Sequence, residues 1–282
     1  MLAGLKEVIA IGEEMGFAIG AFNTPNLECL LAVIRTAEEM NVPVIIAHAQ
    51  LHEEIAPLAD IGPVMVNMAK EAKVPVCVHL DHGEDLEYLE KALRLGFTSI
   101  MYDGSLLPYE ENVANTKKAV ELAAKYRADV EAEIGVLGGR EAGAADTERK
   151  AEDMYTDPEA ARKFVKETGI DALAASFGTA HGLYKAKPQL DFDRIVKIKE
   201  LTGVPLVMHG GSGVSPEDYR IAIEKGVNKI NYYSYMSNAG VKAAKELLDT
   251  QEVTFFHDIA LAAKKAMEED VRRAMSVFYG VK

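Results

Sequence analysis

The stretch "VPVCVHLDHGED" (74–85) ends an apolar run in His79, Asp81 and His82. Two imidazoles flanking a carboxylate can hold a cation, carry a proton, or do both. Two further histidines lie on or just after similar runs, His181 in "GTAHGLY" and His209 in "VMHGGSG". If these runs converge, His82, His181 and His209 form an open tetrahedral zinc site, its fourth position left for substrate. Three separate hydrogen-bonding histidines are the alternative. The glycines beside His181 and His209 let a metal and a ligand approach the backbone. Asp103 and Glu133 end two more runs. They are placed to accept the second N–H of a ligating imidazole or to hold a second cation. His79 lies deeper in its run and reads as a supporting or core histidine. His48, with Gln50 and His52, reads either as a substrate contact or as part of a surface loop. His257 receives no role.

These residues need elements that bring them to one place. Eight β-rich runs recur: "FAIGAFN" (17–23), "VPVIIAH" (42–48), "VPVCVHLDH" (74–82), "TSIMYDG" (98–104), "DVEAEIG" (129–135), "DALAASFG" (171–178), "VPLVMHGG" (204–211) and "NKINYYS" (228–234). Segments of helical periodicity separate them, among them "NLECLLAVIRTAEEMN" and "EDLEYLEKALRLG". Thr156-Asp157-Pro158 and Ser215-Pro216 read as helix starts, and Gly96, Gly169, Gly203 and Gly226 as helix stops. Strands alternating with helices imply parallel strands with crossover helices. Eight units without a compositional break predict one domain over 1–282, a single (β/α)8 TIM barrel. Helices from about Met236 onward form its C-terminal tail. A doubly wound sheet is the alternative. In a barrel the active site lies at the C-terminal ends of the strands. Those ends carry Asn23, His48, Asp81 with His82, Asp103, Glu133, His209 and Asn231, with His181 just beyond the sixth run. Gly138–Asp157 is the longest stretch between strands and helices, and its composition suits an active-site lid.

The chain has 282 residues and a formal net charge of −13. It lacks the basic face expected of a nucleic-acid binder. No apolar run approaches the ~20 residues of a membrane span, and the N-terminus lacks a signal-type core; a cytoplasmic protein is the expectation. The two cysteines, Cys29 and Cys77, sit in apolar patterns and read as buried free thiols.

The seventh run leads into Gly210-Gly211-Ser212-Gly213 and then Ser215-Pro216, and the eighth into Asn231 and Ser234. Barrels often bind phosphate in these loops through backbone N–H groups and a helix N-terminus. No run ends in lysine, and Lys229 is placed before the apolar part of the eighth run. Imine chemistry, which needs an interior lysine, is therefore not expected; a carbonyl substrate would be activated by metal.

The ordered series "AFN" (21–23), "HLDHGE" (79–84), "MYDGS" (101–105), "VEAEIGVLGGRE" (130–141), "GTAHGLY" (178–184), "PLVMHGGSG" (205–213) and "KIN" (229–231) resembles the class II, zinc-dependent ketose-bisphosphate aldolases, of the fructose- and tagatose-bisphosphate type. The resemblance covers essentially the whole chain. It implies reversible cleavage of a ketose 1,6-bisphosphate, or a related ketose phosphate, into dihydroxyacetone phosphate and an aldehyde. It also implies catalytic Zn2+ on His82, His181 and His209, with Asp103 and Glu133 tied to an alternative metal position. By the same resemblance Asp81 shuttles the hydroxyl proton, Glu141 exchanges the proton at the nucleophilic carbon, and Asn231 contacts the ketone. Gly182, Gly210 and Ser212 match the donor-phosphate pocket, which in the family often holds a monovalent cation, Na+ or K+. Asn23, Gly211 and Ser234 complete the expected substrate contacts. A small phosphorylated sugar as partner, and a homodimer or homotetramer, follow from the resemblance.

Two departures fall near the substrate. After Asn231 the family usually has a small apolar residue, an acid or amide, and threonine, where this chain has Tyr232-Tyr233-Ser234. Where the family often offers a small hydroxyl residue at the second strand, this chain has His48-Ala49-Gln50. A zinc-dependent barrel hydrolase with Asp81 as base, and a non-catalytic binding protein on the same barrel, are the alternative functions. The hydrolase leaves Glu141 and the phosphate loop without a role, and the binding protein leaves Asp81 without one.

Overall fold

The computed structural model describes residues 1–135, 155–182 and 187–281. The eight runs form eight parallel strands: β2 (Ile19–Asn23), β3 (Val44–Ala49), β4 (Val76–Gly83), β5 (Ser99–Tyr102), β6 (Asp129–Ile134), β7 (Ala172–Ala175), β8 (Leu206–Met208) and β9 (Val227–Tyr232). Each pairs with the next, and β9 pairs back onto β2, so the sheet closes into a barrel. A two-residue strand absent from the sequence reading, β1 (Leu2–Ala3), adds to β4 through Leu2↔Val76.

Helices α1 (Leu5–Met15), α2 (Leu27–Met40), α3 (Leu58–Glu71), α4 (Leu86–Leu95), α5 (Tyr109–Tyr126), α6 (Pro158–Thr168), α7 (Phe192–Thr202) and α8 (Pro216–Glu224) lie between successive strands. α4 shows how the sequence writes them. Asp85 caps its start by accepting from the Tyr88 N–H at 2.7 Å, and Leu89, Ala92 and Leu93 form the buried stripe. Beyond the barrel, α9 (Ser234–Thr250) begins two residues before the expected tail. It pairs with α10 (Phe256–Phe278), which also packs on α2. Cys29 and Cys77 are buried free thiols, pushed up to about 12 mainly by burial.

Side chains alternate across a strand, so each barrel strand has a helix side and an interior side. The helix side is mostly apolar: Phe22, Ile46, Val78, Leu80, Ile100, Leu173, Met208 and Ile230 are all buried. A barrel interior is commonly filled by bulky branched residues. Here it holds His79, Asp81, Glu131, Glu133, His209, Lys229 and Asn231, all buried. Ala47, Ala49, Ala172 and Ala174, on the same side in register, leave these groups room. Burying so many polar groups costs free energy unless each finds a partner, so the interior is built for chemistry.

Candidate active site

Strand alternation points Asp81 into the barrel and would send His82 to the helix side beside Leu80. The pairing of β4 with β5 shifts register between Leu80 and Gly83, and His82 adopts a left-handed backbone with φ 47°. This bulge keeps His82 at the mouth next to Asp81. A left-handed non-glycine residue costs roughly 1–3 kcal/mol, offset by the contacts His82 makes there.

The three histidines converge. Ring centroids are 5.1 Å apart for His82–His181, 4.7 Å for His82–His209 and 5.7 Å for His181–His209. One nitrogen from each lies within 4.8 Å of the others. Two of the remaining nitrogens have carboxylate partners. His82 Nδ1 meets Asp103 Oδ2 at 2.7 Å, which leaves Nε2 for a cation. His209 Nε2 meets Glu131 Oε1 at 2.8 Å, which leaves Nδ1, and that atom lies 3.0 Å from His82 Nε2. Two imidazole nitrogens held face to face, each with a carboxylate behind it, are the arrangement that ligating histidines require.

Glu133 adds to the case for a cation. Its Oε2 is buried, has no hydrogen-bond partner among the described residues, and lies 4.0 Å from His209 Nδ1. Burial, then the negative charge of Asp103, push this carboxyl well above its ordinary range. A positive ion at the histidines would relieve both costs. Asp103, Glu133 and His82 also form a ligand-sized group, the second position anticipated from the sequence. Asp103 is meanwhile engaged by His82 and by the Ser105 N–H and hydroxyl, at 3.1 and 2.7 Å. The donor set therefore fits a zinc-like ion.

Asp81 is fully buried and clamped by two amides. Asn23 Nδ2 donates to one oxygen at 3.0 Å and Asn231 Nδ2 to the other at 3.2 Å. Burial opposes its ionised form, yet His82, His209, Lys229 and His79 outweigh that effect and hold it well below the usual carboxylate range. Its Oδ2 lies 4.0 Å from His82 Nε2, beside the ligand atoms rather than among them. Asp81 is thus an ionised acceptor at the edge of the cation position.

A layer beneath the ligands escaped the sequence reading. Lys229 Nζ lies 2.7 Å from Glu131 Oε2 and 3.5 Å from His79 Nε2, all fully buried. Lys229, which the sequence places before the apolar part of its run and so away from the interior, instead points into the barrel two residues below Asn231. Its ammonium is engaged by Glu131, whose carboxyl is held at about 2 because Lys229 and His209 outweigh the cost of burial. Counting back by two from Glu133 and from Asn231 would have found both residues. His79, with Nδ1 2.9 Å from Ser99 Oγ and a pKa lowered to about 3, mainly by burial, is a neutral member of this layer.

The glycine-rich loop lies against its neighbours. Gly210 has φ 62°, and a Cβ there would sit 2.3 Å from the Ala180 carbonyl oxygen, so only glycine lets the loops after β7 and β8 meet. Gly211 N–H donates to the Asn231 carbonyl at 3.1 Å, and Ser212 Oγ accepts from the Tyr233 N–H at 3.0 Å. Gly182 follows His181 with φ 93°. Of the two helix starts nearby, α8 is occupied by its own residues: Ser215 caps it, and Glu217 and Asp218 fill its first turn. α9 starts at Ser234 with no side-chain cap and no acid in its first turn, which makes it the helix end suited to an anion. Glu141 lies outside the described residues.

On and after the second barrel strand, β3, the residues differ from the sequence expectation. His48 lies opposite Leu80 in register, is buried on the helix side, and meets the Tyr88 hydroxyl at 3.1 Å; it is neither at the mouth nor on the surface. Gln50 ties the loop after β3 to that after β4, accepting from Glu84 N–H and donating to Asp85. His52 is buried with its ring 5.3 Å from that of Tyr233.

Comparison with known proteins agrees with this geometry. The family described as fructose-bisphosphate aldolase class-II matches residues 3–281. The D-tagatose-1,6-bisphosphate aldolase subunit GatY of Klebsiella oxytoca is 39% identical over 273 residues, 96% of this chain and 95% of that protein. The crystal structure of the YdjI aldolase from Escherichia coli K12 superposes with a TM-score of 0.87 at 35% identity, covering 99% of this chain and 97% of that one. The fructose-bisphosphate aldolase of Campylobacter jejuni, at 20% identity, shares the fold with a TM-score of 0.78 over 98% of this chain and 95% of that one.

Proposed function

The chain belongs to the class-II fructose-bisphosphate aldolase family, and from that premise we propose that it reversibly cleaves a ketose 1,6-bisphosphate, or a related ketose phosphate, into dihydroxyacetone phosphate and an aldehyde. The observation that carries this reading is Asp81, ionised, clamped by Asn23 and Asn231, and set beside an open three-histidine site. The tagatose-bisphosphate name of the GatY relative supports a ketose bisphosphate of the tagatose or fructose type.

His82, His181 and His209 would hold Zn2+. When bound, the ion supplies Lewis acidity toward the oxygens of the ketone and its neighbouring hydroxyl. Asp81 accepts the proton of the hydroxyl that becomes the aldehyde, and the two asparagine amides keep its carboxylate turned toward that hydroxyl. Asn231 Oδ1 is buried without a hydrogen-bond partner among the described residues, which leaves it free to accept from substrate. Glu131 fixes the His209 tautomer, and Lys229 balances the charge of Glu131. The phosphate would rest on Gly182, Gly210, Gly211, Ser212 and the α9 start at Ser234, the same loops that would hold Na+ or K+. Glu141, outside the described residues, takes and returns the proton at the nucleophilic carbon.

We place the protein in the cytoplasm as a single catalytic unit over 1–282. No helix among the described residues is long and apolar enough to cross a membrane. Val241, Leu248, Phe255, Phe256 and Leu261 are exposed on the α9–α10 hairpin, an apolar surface suited to a homodimer or homotetramer contact.

The test is a partial reaction. Given dihydroxyacetone phosphate alone in D2O, the zinc-loaded protein should exchange one carbon-bound proton, and Glu141→Ala should abolish the exchange while retaining zinc. Absence of exchange in the wild type, with cleavage of some other ketose, would overturn the donor assignment.

A further inference from the structure

We propose that Tyr233 reads the aldehyde half of the substrate and that His52 is the positioning residue holding its ring across the barrel mouth. The proposal rests on the aldolase reading above and deepens it. Tyr233 begins at the phosphate loop, where its N–H is pinned to Ser212 Oγ at 3.0 Å. Its ring ends near the turn after β3, 5.3 Å from the His52 ring at an interplanar angle of 55°. In the barrel β2 lies between β9 and β3. A side chain running from the end of β9 to the turn after β3 therefore spans the mouth above β2. The last residue of β2 is Asn23, which holds Asp81.

This span is where the rest of the substrate must go. With the phosphate on the glycine-rich loop and the reacting hydroxyl at Asp81, carbons beyond that hydroxyl leave over Asn23, along the Tyr233 ring. The tyrosine is half-buried. His52, by contrast, is 2% exposed, and its other side meets the His48 ring edge-on at 6.4 Å. His48 is anchored by Tyr88, and the Tyr88 hydroxyl donates to Glu53 at 2.6 Å. A hydrogen-bonded chain that runs through the half-buried Tyr88 of α4 thus backs the ring. An aromatic face with a phenolic edge suits a polyhydroxy aldehyde, whose C–H face lies on the ring while a hydroxyl meets the phenol.

The experiment runs aldol addition of dihydroxyacetone phosphate to glycolaldehyde, glyceraldehyde, glyceraldehyde 3-phosphate and a series of tetroses and pentoses. Zinc-loaded wild type is compared with Tyr233→Ala, Tyr233→Leu, His52→Ala and His52→Phe, and proton exchange on dihydroxyacetone phosphate alone is measured for each. Tyr233→Ala and Tyr233→Leu should lower kcat/KM for the preferred aldehyde about ten-fold, the scale of one lost contact in a specificity pocket. The change should fall in the KM for aldehyde, should compress the ranking of aldehydes, and should exceed any loss of exchange. His52→Ala should move the same way by less, and His52→Phe, which keeps a ring against Tyr233, should recover most of it. An unchanged ranking in both Tyr233 variants, equal losses of exchange and addition, or no recovery in His52→Phe would each overturn the proposal while leaving the aldolase reading intact. Absence of exchange in the wild type would remove the donor assignment of that reading and this proposal with it.

Discussion

Replacing Lys229 by Met separates what the buried layer does for stability from what it does for metal. Lys229 and Glu131 are both fully buried, with Nζ and Oε2 2.7 Å apart. Removing the ammonium leaves a buried carboxylate with His209 as its remaining close donor. Breaking such a pair from one side costs about 3–5 kcal/mol. Removing both charges, as in Lys229→Met with Glu131→Leu, eliminates the uncompensated ion, and apolar replacement of a buried pair is often neutral or stabilising. The double variant also strips His209 of its acceptor, for roughly 1–3 kcal/mol. It should therefore be more stable than Lys229→Met by about 2 kcal/mol, yet bind zinc about 10–100-fold more weakly than wild type, the scale for losing a carboxylate behind a ligating histidine. Urea unfolding of the metal-free proteins followed by circular dichroism gives the first quantity, and zinc titration against a competing chelator gives the second. The reasoning is refuted if Lys229→Met unfolds within about 1 kcal/mol of wild type, below the range for a broken buried pair, or if the double variant holds zinc as tightly as wild type.

Asp81→Asn should retain zinc and dihydroxyacetone phosphate while kcat for cleavage drops about 10²–10⁴-fold with little change in KM; a near-normal kcat would remove Asp81 as the hydroxyl base. Gly210→Ala forces a Cβ to 2.3 Å from the Ala180 carbonyl in a left-handed backbone. Its cost should be about 1–3 kcal/mol of stability, together with a raised KM for the phosphate-bearing donor, and unchanged KM in steady-state assays would detach this loop from phosphate binding.

The alternation of strand and helix was legible because each barrel strand is a short apolar run bounded by helix caps, and all eight runs are strands. The convergence of His82, His181 and His209 beside Asp81 was legible because each lies at or just beyond the end of such a run. The position of His82 was not: period-two counting places it on the helix side, and the left-handed bulge that returns it to the mouth depends on the pairing of β4 with β5. Glu131 and Lys229 were not legible at the strand ends because their layer lies two residues deeper. His48 misled for the opposite reason, since a histidine near a strand end can face the helices, as its register opposite Leu80 makes it do. The direction of the Tyr233 ring follows from its contact with His52, nearly two hundred residues away in sequence, which no local pattern encodes.

The central claim is that carbon–carbon cleavage here depends on the three-histidine cation site with Asp81 as base. Its most direct test is retro-aldol turnover on a panel of ketose 1-phosphates and 1,6-bisphosphates, before chelation, after exhaustive chelation, and after zinc is restored, each with and without borohydride. Cleavage should vanish on chelation, return with about one zinc per chain as expected of a three-histidine site, and be indifferent to borohydride. Full turnover in the metal-free protein, or a substrate adduct trapped on Lys229, would contradict the account.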